Sequence, residues 1–364
     1  MSMPPFIDSQ IFKVWLYHSV CVNDTANPPY DKAEVDMVSI TDSSKQKARI
    51  LAGAYGHKLE RPVVYTQGVA LTARLQLAEL DNGYPDPRPE IEAITAQYVD
   101  NRDAVFDTSD GTANYAGVNW ASLLADDTRY RSLLIATADR FMERDEDGFS
   151  SVLDRDFRVE DMFFAGTVLQ RTSQLTGDGS YVELAGEFVL ECADRLLQPN
   201  GLYWHCLSSP YFWGRGNGFA ALGFAETLVG YRGAKRDQLI ERHVEHLDGL
   251  KSFQDAEAGM WRQVVDVTDS YTEHSSTSMI GISIALGIKH GWLSKGDWGD
   301  VLTNTWRGAS EGINDKGHVT RVCVGTGPLE NLDEYLIRES VTGLDDRGGA
   351  MALWFAVEMM NYGF

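Results

Sequence analysis

"LLADDTRY" (residues 123–130) and "QLTGDGSY" (residues 174–181) stand 51 residues apart and repeat one pattern. Each closes an apolar stretch, turns through aspartate and small residues, and opens the next apolar stretch at a tyrosine. That spacing is about the length of a helical hairpin, and an echo at such a period marks stacked helix pairs. Around it, apolar residues three and four apart recur over 62–80, 118–141, 160–176, 181–197, 218–231, 236–253, 276–290 and 348–361. Strand-like alternation is confined to brief pieces near 261–267 and 318–324. A chain of 364 residues holds about six such pairs. Six pairs either close into a double ring or stay open as a solenoid. The loops at 106–120, 201–218, 255–275 and 321–349 are rich in glycine and aromatics and do not repeat one another, which favours closure around one shared mouth. The expected fold is all-α, an (α/α)6 toroid of six hairpins. With no Pro/Ser/Gly linker, it is expected to form one domain over residues 1–364.

Charge narrows the function. The chain carries 53 acidic and 32 basic residues, a formal net charge of −21. Nucleic acid as a partner is excluded, because phosphate neutralisation needs a basic surface, and an anionic membrane surface is excluded on the same ground. No run has the length of a membrane span, and the opening residues lack the layout of a signal peptide. Cys21, Cys192, Cys206 and Cys323 are widely spaced and fit neither a disulfide framework nor a zinc site. A cytoplasmic location is expected. In so acidic a chain, an anionic ligand needs its positive charge supplied locally.

"SPYFWGRGNGF" (209–219) supplies one such charge. Arg215 sits among three glycines in what reads as a flexible turn ahead of a helix, next to Trp213. The pattern suits a carboxylate gripped bidentately by the guanidinium, with a ring stacked on Trp213. The plainer alternative pairs Arg215 with a neighbouring acid and leaves Trp213 in the core. "FRVEDMFFAGTVL" (157–169) places Glu160 and Asp161 at a helix entry. There they are either dipole-favoured surface charges or a carboxylic acid aimed into a cavity, its pKa raised by Met162, Phe163 and Phe164. Successive helical residues point about 100° apart, so only one of the two is expected to face a funnel. "GLYWH" brings His205, "GMWRQVVD" brings Trp261, and "FDTSDGTANYAGVNW" (106–120) offers Asp107, Asp110 and Asn114.

In order, "LTGDGSY", "GLYWH", "FWGRGNGF", "GMWRQVVD…SYTEHSSTSMI" and "RGGAMALWFAVE" resemble the unsaturated uronyl hydrolases, glycoside hydrolase family 105 and its relative, family 88. The resemblance spans roughly residues 60–364. It implies an (α/α)6 barrel with no metal or cofactor. It also implies a hydrolase that removes the non-reducing-end 4,5-unsaturated uronic acid from oligosaccharides left by polysaccharide lyases. The family's Arg and Trp fall on Arg215 and Trp213, and its His on His205; all three surround the unsaturated sugar. The family's catalytic Asp falls on Glu160 by the gapless match through "FFAG", or on Asp161 by residue type. A second family Asp, from an earlier loop, has Asp107, Asp110 and Asn114 as counterparts without a clean alignment; Asp110 and Asn114, with Trp261, complete the candidate substrate contacts. The implied partner is an unsaturated uronyl oligosaccharide, the chain acting as monomer or homodimer, with the aglycone left open. The rival readings are a sugar epimerase with paired histidines such as His205 and His274, a polysaccharide lyase, and a non-catalytic helical scaffold.

Overall fold

The structure of the protein is a computed structural model that describes residues 32–61, 63–106 and 111–362. In chain order the described elements are α1 (Lys32–Ala54), α2 (Tyr65–Leu80), α3 (Arg88–Val99), the short α4 (Asp103–Phe106) and α5 (Thr112–Ala116), and a 3₁₀ turn (Asn119–Leu124). There follow α6 (Thr128–Met142), α7 (Glu160–Thr176), α8 (Gly179–Leu196), α9 (Gly214–Gly230), α10 (Arg236–Ser252), α11 (His274–Lys289) and α12 (Lys295–Glu311). The chain ends through β1 (Val319–Cys323), α13 (Leu332–Leu336), β2 (Ser340–Gly343) and α14 (Asp346–Met360).

The long helices alternate between two layers. Helix α2, α5 with the 3₁₀ turn, α7, α9, α11 and α14 pack side by side, and α14 touches both α11 and α2, so the inner ring closes. Helices α1, α6, α8, α10 and α12 pack against its outside, and α3 joins α6 in the outer layer. This is the all-α six-hairpin toroid that the 51-residue echo predicts. Both halves of the echo make an inner-to-outer connection: Asp127 caps α6 by accepting from the Arg129 amide, and Asp178 caps α8 by accepting from the Ser180 amide. Among the described residues no helix is long and apolar enough to cross a membrane.

Burial separates the layers. Helix α9 is buried without a break from Gly214 to Leu228, and α11 from His274 to Gly287, as inner helices must be when covered on all sides. Outer α10 buries one stripe only: Leu239, His243, His246, Leu247 and Leu250. Several expected boundaries shift. Segment 118–141 divides into the 3₁₀ turn and α6, and the helix expected over 218–231 begins at Gly214. Helices α1, α3 and α12 appear where no periodic segment was expected. Around 261–267 the backbone forms isolated bridges only, Trp213 with Val264 and Arg262 with Thr272, whereas β1 pairs antiparallel with β2.

The inner ring depends on close backbone approach. A Cβ added at Gly223 of α9 would lie 2.6 Å from the carbonyl carbon of Met162 in α7 and 2.7 Å from its oxygen. Neither atom can move aside as a side chain can. Gly223→Ala is therefore expected to cost about 1–3 kcal/mol by overpacking, read as a lower urea midpoint at unchanged slope. An unchanged midpoint would show that α7 and α9 separate freely.

Candidate active site

Five of the inner helices, α2, α5, α7, α9 and α14, begin at one cavity of about 730 Å³. Its wall takes Tyr65 from the start of α2, Thr112 from α5, Glu160 and Asp161 from α7, Arg215 from α9, and Asp346 and Arg347 from α14. Lys58, Arg158, Asp345 and the loop Gly325–Gly327 add to the polar lining, and Phe164, Trp213 and Phe219 are among the large apolar side chains in it. The positive ends of the helices thus converge where four basic side chains also stand, a setting that favours an anion.

Arg215 is the second residue of α9, not part of a flexible turn, and only 2% of it is exposed. Its Nη1 donates to the Cys323 carbonyl at 2.7 Å and to Ser275 Oγ at 3.2 Å, and its Nη2 donates to the Val324 carbonyl at 2.7 Å. Of the five N–H groups of a guanidinium, one on Nε and one on Nη2 are left without a protein acceptor. Glu273, fully buried, lies 4.0 Å from Nη1 and is saturated by other donors: the amides of Ser275, Ser276 and Cys323 and the Ser275 hydroxyl. The stacking partners of Trp213 are protein groups. The Arg215 guanidinium lies 4.8 Å from one ring centroid, and the His205 imidazole packs at 4.6 Å. The indole Nε1–H is buried without an acceptor.

Glu160 and Asp161 both line the cavity, contrary to the expectation that only one of them faces it. Asp161 is buried and both its oxygens are taken: Oδ1 accepts from Thr112 Oγ1 and Oδ2 from the Asp154 amide at 3.0 Å. Burial pushes its carboxyl up to about 7, against the pull of those two hydrogen bonds and with a further push from the charge of Glu160. Glu160 goes the other way. Burial raises its pKa, but the charge and hydrogen bond of His205 outweigh that and hold it below the ordinary carboxylate range. Oε1 faces His205 Nε2 at 3.1 Å, while Oε2 is buried with no partner.

The other expected contacts divide. His205 is fully buried and is not on the wall; it stands behind Glu160 and Trp213, which are. Asn114 is buried and donates to the Val63 carbonyl, and Trp261 is buried with its Nε1–H on the Leu250 carbonyl at 2.6 Å; neither reaches the wall. Asp107 and Asp110 lie outside the described residues. The loop 255–275, expected at the mouth, instead backs Arg215 through Gln263, whose carbonyl accepts from the Gly214 amide at 2.7 Å. Lys58 and Arg158 carry no local sequence signal of a ligand contact. Arg347 has one, in the glycine-rich turn "LDDRGGAM".

Residues 43–362 match the family model described as Glycosyl Hydrolase Family 88. The chain belongs to that family. It is a glycoside hydrolase, and its fold has close counterparts among solved structures. One is a possible member of family 105 from Klebsiella pneumoniae (TM-score 0.73, 19% identity, 98% of this chain and all of that one). Another is the unsaturated glucuronyl hydrolase of Bacillus sp. GL1 (TM-score 0.65, 14% identity, 90% and 95%). In sequence, the family 88 chain is 28% identical over 164 residues to the unsaturated rhamnogalacturonyl hydrolase YesR of Bacillus subtilis (strain 168). That stretch covers 42% of each protein.

The raised carboxyl of Asp161 has a consequence for stability. Between its ordinary value of 3.8 and about 7 the folded protein keeps a proton that the unfolded chain has released, so stability falls as pH rises through that window. Asp161→Asn removes the dependence. The variant is expected to gain on the wild type from pH 4 to 7, by on the order of a few kcal/mol, measured by urea denaturation across the range. Parallel stability curves would show that Asp161 is ionised in the fold.

Proposed function

We propose that this glycoside hydrolase removes a 4,5-unsaturated uronic acid from the non-reducing end of lyase-generated oligosaccharides, working as a single catalytic domain. One observation carries the reading. Arg215 and Glu160 both line the cavity: one is a buried guanidinium with two unused N–H groups, on Nε and Nη2, and the other has a buried carboxyl oxygen, Oε2, that no protein group occupies. Nε–H and an Nη2–H lie along one edge of a guanidinium, an arrangement suited to a carboxylate. The activities named for YesR and for the Bacillus sp. GL1 enzyme support the same class of substrate.

The chemistry follows from the substrate. Its C4–C5 double bond is an enol ether conjugated to the carboxylate, so protonating C4 creates an oxocarbenium ion at C5. Water adds at C5, and the resulting hemiketal opens and releases the remainder of the chain. One carboxyl group suffices to give the proton and then take one back from the water, unlike an ordinary glycosidase with two carboxylates across the bond. We assign that role to Glu160 because it alone of the pair keeps an oxygen free. An anionic ring that displaces water from the cavity raises the proton affinity of Glu160, so that Oε2–H faces C4 while Oε1 stays on His205. Asp161 is uncharged below about 7 and adds no second negative charge beside the uronate.

Turnover is followed as loss of the ultraviolet absorbance of the conjugated double bond, which a lyase would create and an epimerase or scaffold would leave unchanged. Glu160→Gln is expected to lose about 10²–10⁴-fold in kcat, the range for general acid–base catalysis. A Glu160→Gln enzyme that keeps full turnover while Asp161→Asn loses it would move the role to Asp161.

Arg215→Lys keeps the charge and loses the fork. It is expected to weaken substrate binding by about 1.5–3 kcal/mol, seen mainly in KM. Unchanged kinetics in a folded Arg215→Lys protein would make Arg215 structural. The wild type itself is expected to lose activity as pH rises through about 7, where Asp161 ionises next to Glu160.

A further inference from the structure

We infer that Ser209 and Tyr335 are positioning residues that keep a hydrogen on Nδ1 of His205, so that its Nε2 and Glu160 Oε1 always share a proton. The inference rests on the role proposed for Glu160, but its geometry is independent of it. Ser209 Oγ lies 2.7 Å from the Leu329 carbonyl oxygen, which can only accept, so the single hydroxyl hydrogen of Ser209 is committed there. Tyr335 Oη lies 2.7 Å from the same Ser209 Oγ, which is now an acceptor, and this commits the phenolic hydrogen in turn. At its contact with His205 Nδ1, 2.5 Å away, Tyr335 can then only accept. Nδ1 must donate. The Leu329 amide, 3.3 Å from both hydroxyl oxygens, agrees with two accepting oxygens.

With Nδ1–H fixed, a neutral His205 has a bare Nε2, which would repel the Glu160 carboxylate at 3.1 Å. Two arrangements are left while Oε2 carries no proton. Either imidazolium faces carboxylate, or neutral imidazole faces carboxylic acid; in both the proton stays within the pair. The proton that Oε2 takes up for the reaction adds to the imidazolium pair, with Nε2–H still on Oε1. In the proposed reaction the chain therefore supplies a donor at Nε2 each time Glu160 becomes a carboxylate, and prevents the imidazole from settling in the other tautomer. Besides His205, Glu160 is faced by Asp161, Arg158, Tyr65 and Tyr335, while His205 is packed by Trp213. Burial pushes the phenols of Tyr65 and Tyr335 up to about 12, far from neutral pH, whereas Asp161 is raised to about 7.

Histidine-selective ¹⁵N NMR of the full chain, with the His205 signals assigned by their loss in His205→Gln, tests the donor order without substrate. In the wild type Nδ1 of His205 is expected to be protonated throughout the range in which the protein is folded. A bare Nδ1 would overturn the inference. Ser209→Ala frees the phenolic hydrogen of Tyr335 to point at Nδ1, so the same nitrogen is expected to become an acceptor and the protonated one to be Nε2. Tyr335→Phe leaves Nδ1–H without an acceptor and should lower kcat roughly tenfold, with little change in KM. Its limb of the kcat–pH profile due to Glu160 should move to higher pH, since a neutral imidazole no longer holds the carboxylate down. A folded Tyr335→Phe protein with the wild-type profile, or a Ser209→Ala protein with unchanged His205 tautomer, would reject the chain. Absence of turnover on unsaturated disaccharides in the wild type would strike the proposed function instead and leave the NMR result standing.

Discussion

The first turns of five inner helices open on one cavity, and this direction of the chain constrains everything else in the site. Helices α2, α5, α7, α9 and α14 each contribute one of their first two residues to the wall. A helix N-terminus carries roughly half a positive charge, and Lys58, Arg158, Arg215 and Arg347 add whole ones. A protein of net charge −21 thereby encloses a region that attracts anions. The same field explains why acidic residues are tolerated there at all: Glu160, Asp161 and Asp346 stand in first turns, and Asp345 caps α14 by accepting from the amides of Arg347 and Gly348.

Placing a guanidinium inside this ring needs more than a counter-charge. A buried ion has to replace its water with hydrogen bonds, or its desolvation outweighs any Coulomb gain. Arg215 does so with the carbonyls of Cys323 and Val324, which is why the small β1–β2 sheet sits next to the toroid's mouth. Glu273 is placed to neutralise without competing. Its oxygens are filled by backbone amides and a hydroxyl, so it balances Arg215 at 4.0 Å and leaves part of the fork unused. Lysine could not be held in this way, because its three donors do not lie in one plane.

Two adjacent carboxyls are driven apart by their surroundings in the manner that lets one site hold an acid and a base together. Asp161 gets burial and neutral donors and moves up; Glu160 gets burial too, but also the histidine, and moves down. The difference comes from which neighbour each side chain meets across the first turn of α7: Thr112 and the Asp154 amide on one side, His205 on the other.

The sequence by itself determined the architecture. A 51-residue echo built on Asp127 and Asp178 is a local signal, because a capping aspartate needs only the amide two residues ahead of it, and apolar residues three and four apart mark helices before any packing is known. It also drew attention to Glu160, Asp161, Trp213, Arg215 and His205, through their clustering with glycine and aromatics and through resemblance to a family. It did not disclose that α9 starts at Gly214, because glycine-rich sequence reads as a turn unless a neighbouring backbone, here the Gln263 carbonyl, holds it. Nor could it separate the two acids, place Trp261 and Asn114 behind the wall, or join Tyr335 to His205 across 130 positions. Those outcomes rest on desolvation and hydrogen-bond partners brought from distant parts of the chain, and such partners exist only once the ring has closed.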